Sequence, residues 1–249
     1  MSDRALTVLV HGSSGSGKST LAATAPGPRL FLDVEKKSRF LRNKKVKWDP
    51  RKGEAPPVDD GTWDMCVVIV NDFEDVTKAH DWLKSGKHPF RSVILDSISE
   101  LQIQCMDGIT GRKLAKTQDW GTLLQRMGGF ARDLRDLTAN PVNPLEAVVI
   151  TSMSMDDGEM LRPYLQGQLK HQISYIYDIT GYLYVEDVVD PETGEVEEVR
   201  RLITRRHPQY EAKENVGGRL PMYVDYPDVS AMLDSIFGPR EEPLAAAKS

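Results

Sequence analysis

Residues 12–19 read Gly12-Ser13-Ser14-Gly15-Ser16-Gly17-Lys18-Ser19, a glycine-rich octapeptide that ends in lysine and serine. It fills every required position of the pattern G-x-x-x-x-G-K-[ST], in which successive backbone N–H groups surround phosphate oxygens. Glycine allows this because it has no side chain to hold the backbone away from the anion. Residues 12–19 therefore predict a phosphate-binding loop for a nucleoside triphosphate.

The residues on both sides of the octapeptide fit the same interpretation. Residues 5–10 form an apolar, β-branched run that is typical of a buried parallel strand, and residues 19–24 can open a helix before Pro26. The positive end of that helix faces the anion. In this arrangement Lys18 reaches the β- and γ-phosphates and the Ser19 hydroxyl is a ligand of Mg²⁺. The residues expected to bind the nucleotide are Gly12, Ser13, Ser14, Gly15, Ser16, Gly17, Lys18, Ser19 and Thr20.

Composition narrows the class of protein. The chain has 249 residues, a formal net charge of -5 and two cysteines. We expect a single domain over residues 1–237 and a disordered tail over residues 238–249. No apolar run approaches the roughly 18 residues that span a membrane, and the N-terminus lacks a signal-peptide pattern. We therefore expect a cytoplasmic protein without a membrane partner.

Cys66 and Cys105 lack C-x-x-C spacing, which predicts reduced core residues and no zinc site.

Apolar runs alternate with helical periods along the chain, which predicts an α/β fold with a mainly parallel sheet flanked by helices. After the first strand, further parallel strands are expected at 29–35, 63–70, 92–96 and 147–151. The clearest helical stripe consists of Leu123, Met127, Phe130, Leu134 and Leu137. Turn-forming residues at 190–194 separate two strands that predict an antiparallel hairpin, which extends the sheet. A closing helix is expected at 228–237.

Two carboxylates end predicted strands downstream of the loop. Asp96 ends the strand 92–96, where it can stand behind Mg²⁺ in the Walker B manner and can also cap the following helix. Glu35 ends the strand 29–35, within reach of a water molecule that attacks the γ-phosphate. The alternative for Glu35 is a surface carboxylate that faces the basic run after it.

Residues 31–35 and 93–98 resemble the catalytic-glutamate and Walker B segments of RecA-type recombinases. The chain as a whole resembles the compact RecA-like ATPases encoded by bacteriophages, which are described as nucleotide-binding or single-strand-annealing proteins. The supporting stretches are 161–167, 178–182, 210–213 and 218–221. The resemblance covers residues 5–221. It implies a RecA-like core in the host cytoplasm, with ATP and Mg²⁺ as cofactors and Glu35 as the residue that activates water.

The resemblance also implies a homo-oligomer, either a ring or a filament, with nucleotide at the subunit interface. Cations of one subunit would then face the γ-phosphate that the next subunit holds. Lys213 and Arg219 match the family's basic motif after the hairpin, with ordinary surface charge as the alternative.

Single-stranded DNA is the partner that the resemblance implies, and a single-strand-binding protein is a further expected partner. The DNA contacts are expected in the loops after the fourth and fifth strands. The basic residues of these loops include Arg112, Lys113, Lys116, Arg162 and Lys170. The second loop also carries Asp156, Asp157 and Glu159, which oppose phosphate binding.

A separate basic run carries seven cations and no acid within residues 36–47. It can follow a phosphate backbone, with Phe40 and Trp48 as stacking faces, or form a solvated surface. The sequence leaves these two interpretations open.

The leading hypothesis is an ATP-hydrolysing RecA-like protein that binds single-stranded DNA and promotes annealing or strand exchange in phage recombination. One rival is a small-molecule kinase built on the same phosphate loop. The other is a nucleotide-gated interaction module, such as a helicase-loading or packaging accessory. A regulatory GTPase is disfavoured because the chain has no N-K-x-D segment.

Overall fold

The structure is a computed structural model that describes residues 4–189 and 194–240. Its strands are β1 (Leu6–Gly12), β2 (Arg29–Asp33), β3 (Lys45–Lys47), β4 (Met65–Ile69), β5 (Ser92–Asp96), β6 (Ala147–Asp156), β7 (Leu161–Pro163), β8 (Ile179–Val189), β9 (Val196–Ile203), β10 (Lys213–Glu214) and β11 (Tyr223–Asp225). Its α-helices are α1 (Lys18–Ala22), α2 (Phe73–Lys84), α3 (Ile98–Thr110), α4 (Thr117–Asp136), α5 (Leu169–Ile176) and α6 (Val229–Phe237).

The strands form one mixed sheet in the spatial order β11-β9-β8-β1-β6-β5-β2-β4-β3, with β10 paired to β8 and β7 to β6. Strand β1 lies between β6 and β8 and is parallel to both. The predicted α/β fold with a mainly parallel sheet is confirmed. The predicted hairpin is also confirmed, because β8 and β9 pair antiparallel at one side of the parallel strands. Residues 190–193 of its turn and residues 241–249 of the predicted tail lie outside the described residues.

The register of four parallel strands brings their carboxyl ends to one edge of the sheet. Ala147 of β6 pairs with Leu6 of β1 and with Ser92 of β5, and Ser92 pairs with Arg29 of β2. The four strands thus start level with one another. Residues that end these strands therefore meet at the same edge, where ligands bind in open α/β sheets.

The core lies on both faces of the sheet. On one face α2 to α5 pack on a large cluster that includes the predicted stripe Leu123, Met127, Phe130, Leu134 and Leu137. On the other face α1 and α6 cover a second cluster that includes Leu21 and Leu233. The predicted burial of Cys66 and Cys105 is confirmed. Burial on both faces explains why the parallel strands are continuous apolar runs.

Side-chain caps fix where three of the helices begin. The carboxylate of Asp72 accepts a hydrogen bond from the Glu74 N–H at the start of α2, and that of Asp228 accepts from Ala231 in α6. The Ser97 hydroxyl caps α3. These residues satisfy N–H groups that have no partner within the helix. Among the described residues, no helix combines the length and apolar character needed to cross a membrane.

The structure differs from the sequence interpretation after residue 151. Strand β6 continues to Asp156 because its last residues pair with β7, with Ser154 opposite Pro163. The loop predicted after the fifth strand contains β7 and leads into α5. Strand β3 lies inside the basic run 36–47, for which the sequence predicted no strand. These elements are short and depend on pairing with distant residues, so no local period marks them.

His11 is completely buried at the end of β1, directly before the glycine loop. Its Nδ1 lies 2.8 Å from the Ser154 hydroxyl and its Nε2 lies 2.7 Å from the Glu211 carbonyl oxygen. Burial lowers the pKa of His11 from 6.5 to about 4, although the Glu211 carbonyl opposes this change. The ring is therefore neutral at physiological pH and joins three segments of the chain.

We expect acidification to destabilise the fold through His11. The folded chain binds a proton at this ring less readily than the unfolded chain does, so stability falls as pH decreases from about 6.5 towards about 4. Between pH 7.5 and 5 this residue should lower the free energy of unfolding by about 2 kcal/mol. Urea denaturation of wild type, His11→Gln and the exposed control His171→Gln at both pH values measures the effect. Equal pH dependence in wild type and His11→Gln would contradict it.

Candidate nucleotide site

The glycine loop connects the end of β1 to the start of α1. Gly17 precedes the helix with a φ of 92°, a left-handed conformation that favours glycine. A side chain at Gly12 would collide with the Leu183 carbonyl oxygen of the neighbouring β8. The loop backbone thus needs glycine at both positions, at Gly12 for close approach to a strand and at Gly17 for its conformation.

Lys18 curls back over the loop. Its Nζ donates hydrogen bonds to the carbonyl oxygens of Gly12 at 2.9 Å and Ser13 at 2.7 Å. Burial lowers the pKa of the ammonium, while the negative charges of Glu35 and Asp96 act in the opposite direction. A cation held over glycine backbone and facing two carboxylates suits the phosphates of a magnesium nucleotide.

Ser19 and Asp96 lie in direct contact across the sheet edge. The Ser19 hydroxyl donates to Asp96 Oδ2 at 2.7 Å, and the Thr151 hydroxyl donates to Oδ1 of the same carboxylate. Burial raises the pKa of Asp96, and the two hydroxyl hydrogen bonds oppose this. Hydroxyl and carboxylate oxygens are the ligands that Mg²⁺ prefers, so this pair fits the ion. In residues 4–189 and 194–240, no group of three His, Cys, Asp or Glu side chains could hold a metal alone.

Glu35 lies at the same edge, in contact with Ser97, the residue that follows Asp96. The Ser97 hydroxyl donates to Glu35 Oε1 at 2.7 Å, and Lys37 Nζ donates to Oε2 at 2.7 Å. Burial tends to raise the pKa of Glu35, but the hydrogen bonds from Lys37 and Ser97 outweigh it and the pKa is lowered. Glu35 is therefore ionised at neutral pH, as a group that orients and deprotonates water must be.

Sequence reasoning did not select Thr151 or Ser97 for this site. Thr151 follows the apolar run 147–150 on β6, the strand between β1 and β5, just as Asp96 follows the run on β5. A polar residue after a buried strand was thus a usable signal for Thr151. The contact of Ser97 with Glu35 has no local signal, because it depends on the pairing of β2 with β5.

The two residues proposed to act on a neighbouring subunit lie away from their own glycine loop. Lys213 is on β10, which pairs with β8 near Thr180, and its Nζ donates to the Tyr177 carbonyl oxygen at 2.6 Å. Burial lowers the pKa of Lys213. Arg219 is exposed and donates to the Ile236 carbonyl oxygen at 3.2 Å. Neither side chain hydrogen-bonds to the loop, Glu35 or Asp96 among the described residues.

The first group of DNA candidates lies around the connection between α3 and α4. Arg112, Lys113 and Lys116 are all exposed. Arg112 is 3.6 Å from Asp107, while Leu114 is 96% exposed between the two lysines. This connection thus offers cations and an apolar side chain to solvent.

The second group of candidates separates into two different environments. Arg162 on β7 is held by three acids, with distances of 2.5 Å to Asp157 and 3.3 Å to both Glu159 and Glu211. Its charge is therefore largely compensated. Lys170 instead lines an open cleft of about 650 Å³. The other residues lining that cleft are Trp120, Met155, Tyr164, Leu165, Gln166, Gly167, Gln168 and His171.

All seven cations of the basic run at 36–47 are exposed to solvent. Lys45 and Lys47 are exposed on β3, the edge strand of the sheet, where charge prevents pairing with another chain. Arg39 lies over the exposed ring of Phe40, with 4.8 Å between the guanidinium carbon and the ring centroid. The expectation that Trp48 is a stacking face is wrong, because it is 7% exposed within the core.

A family model described as an AAA domain matches residues 4–216. The matched segment runs from before β1 to beyond β10 and so includes the glycine loop, Glu35 and Asp96. A search of curated proteins finds no match to this chain.

We expect Asp96→Asn to reduce the contribution of Mg²⁺ to nucleotide affinity. The amide keeps the size of the side chain but removes the negative charge beside Ser19, so the ion loses its charged partner. Calorimetric titration with ATP, in Mg²⁺ and in EDTA, gives this contribution as a ratio of dissociation constants. That ratio should decrease roughly tenfold or more. Asp81→Asn, on the exposed side of α2, is the control, and an unchanged ratio in Asp96→Asn would refute the assignment.

Proposed function

The chain belongs to the AAA domain family of P-loop NTPases, and on this premise we propose that it is a RecA-like ATPase of bacteriophage type that binds single-stranded DNA. In this proposal it promotes annealing or strand exchange during recombination. Nucleotide binding through the P-loop comes with the family. ATP hydrolysis, the RecA-like type and the DNA substrate are the parts that we propose.

The observation that carries the proposed hydrolysis is the placement of Glu35. Its carboxylate is ionised, accepts from Ser97, and lies at the sheet edge where Asp96 contacts Ser19. Glu35 also pairs with Lys37 of the basic run, as the surface alternative expects, but its side chain is only 15% exposed and its other oxygen is held by Ser97 beside Asp96. Glu35 instead has the position and charge of a general base.

Each residue of the site has a defined part in the proposed reaction. When bound, Mg²⁺ neutralises charge on the phosphate oxygens. Lys18 stabilises the negative charge that develops on the transferred phosphoryl group. Glu35 orients the attacking water and accepts its proton. The Ser97 hydroxyl fixes one oxygen of Glu35, which leaves the carboxylate little freedom to turn away.

The cleft beside Lys170 supports the proposed binding of single-stranded DNA. Trp120 is 40% exposed and lines this cleft together with Tyr164 and Lys170. Exposed aromatic rings stack on unpaired bases and a nearby ammonium pairs with phosphate, which gives binding without sequence preference. Trp120 lies four residues after Lys116, so the two groups of DNA candidates meet at the beginning of α4.

This cleft has a structural connection to the nucleotide site. Helix α3 begins directly after Asp96 and Ser97, and the side chain of its Gln102 accepts a hydrogen bond from the Gln166 N–H in the cleft wall. A change at the carboxylates would therefore move a helix that contacts the cleft. In the proposed cycle, nucleotide state controls DNA binding through this helix.

We also propose that the protein acts as a homo-oligomeric ring or filament. Arg219 is exposed and lies outside its own nucleotide site, so it is available to face the γ-phosphate of a neighbour. Lys213 would first have to leave the Tyr177 carbonyl. Of the two cations, Arg219 is thus the better candidate for action in trans.

One observation favours a second candidate, the nucleotide-gated interaction module. The three acids around Arg162 remove a cation from the proposed DNA surface, and much of the adjacent cleft is apolar. Such a surface also suits a protein segment. DNA binding measured directly separates the two candidates.

We expect Glu35→Gln to bind ATP with nearly unchanged affinity but to lose most of its hydrolysis. Glutamine keeps the contact with Ser97 but cannot accept the proton, and general base catalysis contributes typically 10² to 10⁴-fold. Phosphate release under saturating ATP and calorimetric binding measure the two effects separately. Glu54→Gln, at an exposed position, is the control. Hydrolysis at the wild-type rate in Glu35→Gln would exclude this residue as the base.

We expect single-stranded DNA to stimulate ATP turnover, and duplex DNA to do so much less. Trp120→Ala should weaken binding of an oligothymidine by about 1–3 kcal/mol because one stacking contact is lost. Lys170→Ala should also weaken binding of the oligothymidine, and the loss of affinity should be larger at low salt than at high salt. Fluorescence anisotropy with a labelled oligonucleotide checks both variants, and Lys78→Ala on α2 is the control. Absence of wild-type binding to single-stranded DNA would favour the interaction module.

A further inference from the structure

One arginine of the antiparallel hairpin touches the phosphate loop. Arg200, in the middle of β9, donates from Nε to the Ser16 carbonyl oxygen at 3.0 Å, across a separation of 184 residues. Its guanidinium carbon lies 2.7 Å from the point where a Cβ of Gly17 would be. The guanidinium therefore rests on the backbone of Gly17, and only glycine at this position allows that contact.

The alternation of β9 directs Arg200 towards the loop. Leu202, two residues later on the same face, lies in the core cluster beneath α1 and α6. Arg201 projects to the opposite face, where it pairs with Glu186 and Asp225 at 2.6 Å each. Two neighbouring arginines thus have different surroundings, and Arg201 is a natural control for Arg200.

The contact fixes the orientation of one peptide unit of the loop. In a planar trans peptide the Ser16 carbonyl and the Gly17 N–H point in opposite directions. When Arg200 holds the carbonyl, it also turns the Gly17 N–H to the other side of the loop backbone. To bind phosphate, the N–H groups of the loop must form a nest, that is, they must point at one common centre. Glycine-rich backbone loses much conformational freedom when it is ordered in this way.

We propose that Arg200 is a positioning residue for the phosphate-binding loop, which makes the β8–β9 hairpin part of the nucleotide site. Arg200 holds the loop by a carbonyl oxygen that points away from the Gly17 N–H, so the N–H groups are ordered before nucleotide binds. Its positive charge adds to that of the start of α1. The position of β9 is fixed in turn from its other side, where the Tyr226 N–H donates to the Arg200 carbonyl at 2.7 Å. The hairpin thus has a role beyond extending the sheet.

The test compares nucleotide affinities of Arg200→Ala, Arg200→Lys and Arg201→Ala with those of the wild type. Calorimetric titrations with ATP and with ADP, both with Mg²⁺, give the dissociation constants. We expect Arg200→Ala to bind both nucleotides roughly tenfold or more weakly, by the same factor, because the nest holds the phosphates that they share. Arg200→Lys should recover part of the loss, and Arg201→Ala should bind like the wild type.

Hydrogen exchange of the loop amides supplies a readout that does not depend on nucleotide. Without nucleotide, the peptide containing residues 13–19 should exchange faster in Arg200→Ala than in wild type or Arg201→Ala. Thermal unfolding shows whether Arg200→Ala is folded. If it is not, Arg200→Gln is measured in its place.

Unchanged affinity for both nucleotides, or unchanged exchange in the loop, would overturn the inference. A loss confined to ATP would also overturn it, because that result means contact with the γ-phosphate rather than positioning of the loop. Nucleotide binding itself is tested separately: the wild type should bind ATP and Lys18→Ala should lose that binding. A failure of this result would refute the nucleotide site, whereas the Arg200 variants test only the positioning of the loop.

Discussion

The structure depends on the level register of β1, β6, β5 and β2. Because these strands start together, their ends bring the glycine loop, Thr151, Asp96 and Glu35 to one edge of the sheet. A shift by one residue would turn every side chain of a strand to its other face. Such a shift would disrupt the close packing of differently shaped side chains on both faces. The core that stabilises the fold therefore also sets the distances within the site.

That edge concentrates negative charge where water is largely excluded. Asp33 and Asp96 are almost completely buried on paired strands, and Glu35 follows within two residues. Asp33 accepts hydrogen bonds from the backbone N–H groups of Lys37 and Ser38 at 3.0 Å each. Within the described part of the chain, the two buried acids thus accept hydrogen bonds from hydroxyl and backbone N–H groups rather than from a cation. Lys18 is the cation that lies over the loop. Such an arrangement is suited to a bound cation and to a charged substrate.

The antiparallel part of the sheet connects the loop with the rest of the molecule. Arg200 on β9 contacts the loop from one side, while His11 links its base to the segment around Glu211. Glu211 in turn accepts from Ser174 on α5 and from Arg162 on β7. The nucleotide site is therefore connected, through hydrogen bonds, with the hairpin, with β7 and with α5, which borders the proposed DNA cleft.

Local patterns in the sequence predicted the glycine loop, the order of the parallel strands along the chain, the α/β class and Asp96 at the end of β5, whereas β2 ends at Asp33, two residues before Glu35. These features are local, because a loop motif and a run of apolar residues lie within a few neighbouring positions. The contacts of Thr151, Ser97 and Arg200 could not be predicted, since each depends on which distant strands pair and in what register. The same holds for the burial of Trp48 and for the three acids around Arg162. Charge and aromatic character can be read from sequence, but whether they face solvent is set by packing between segments far apart in the chain.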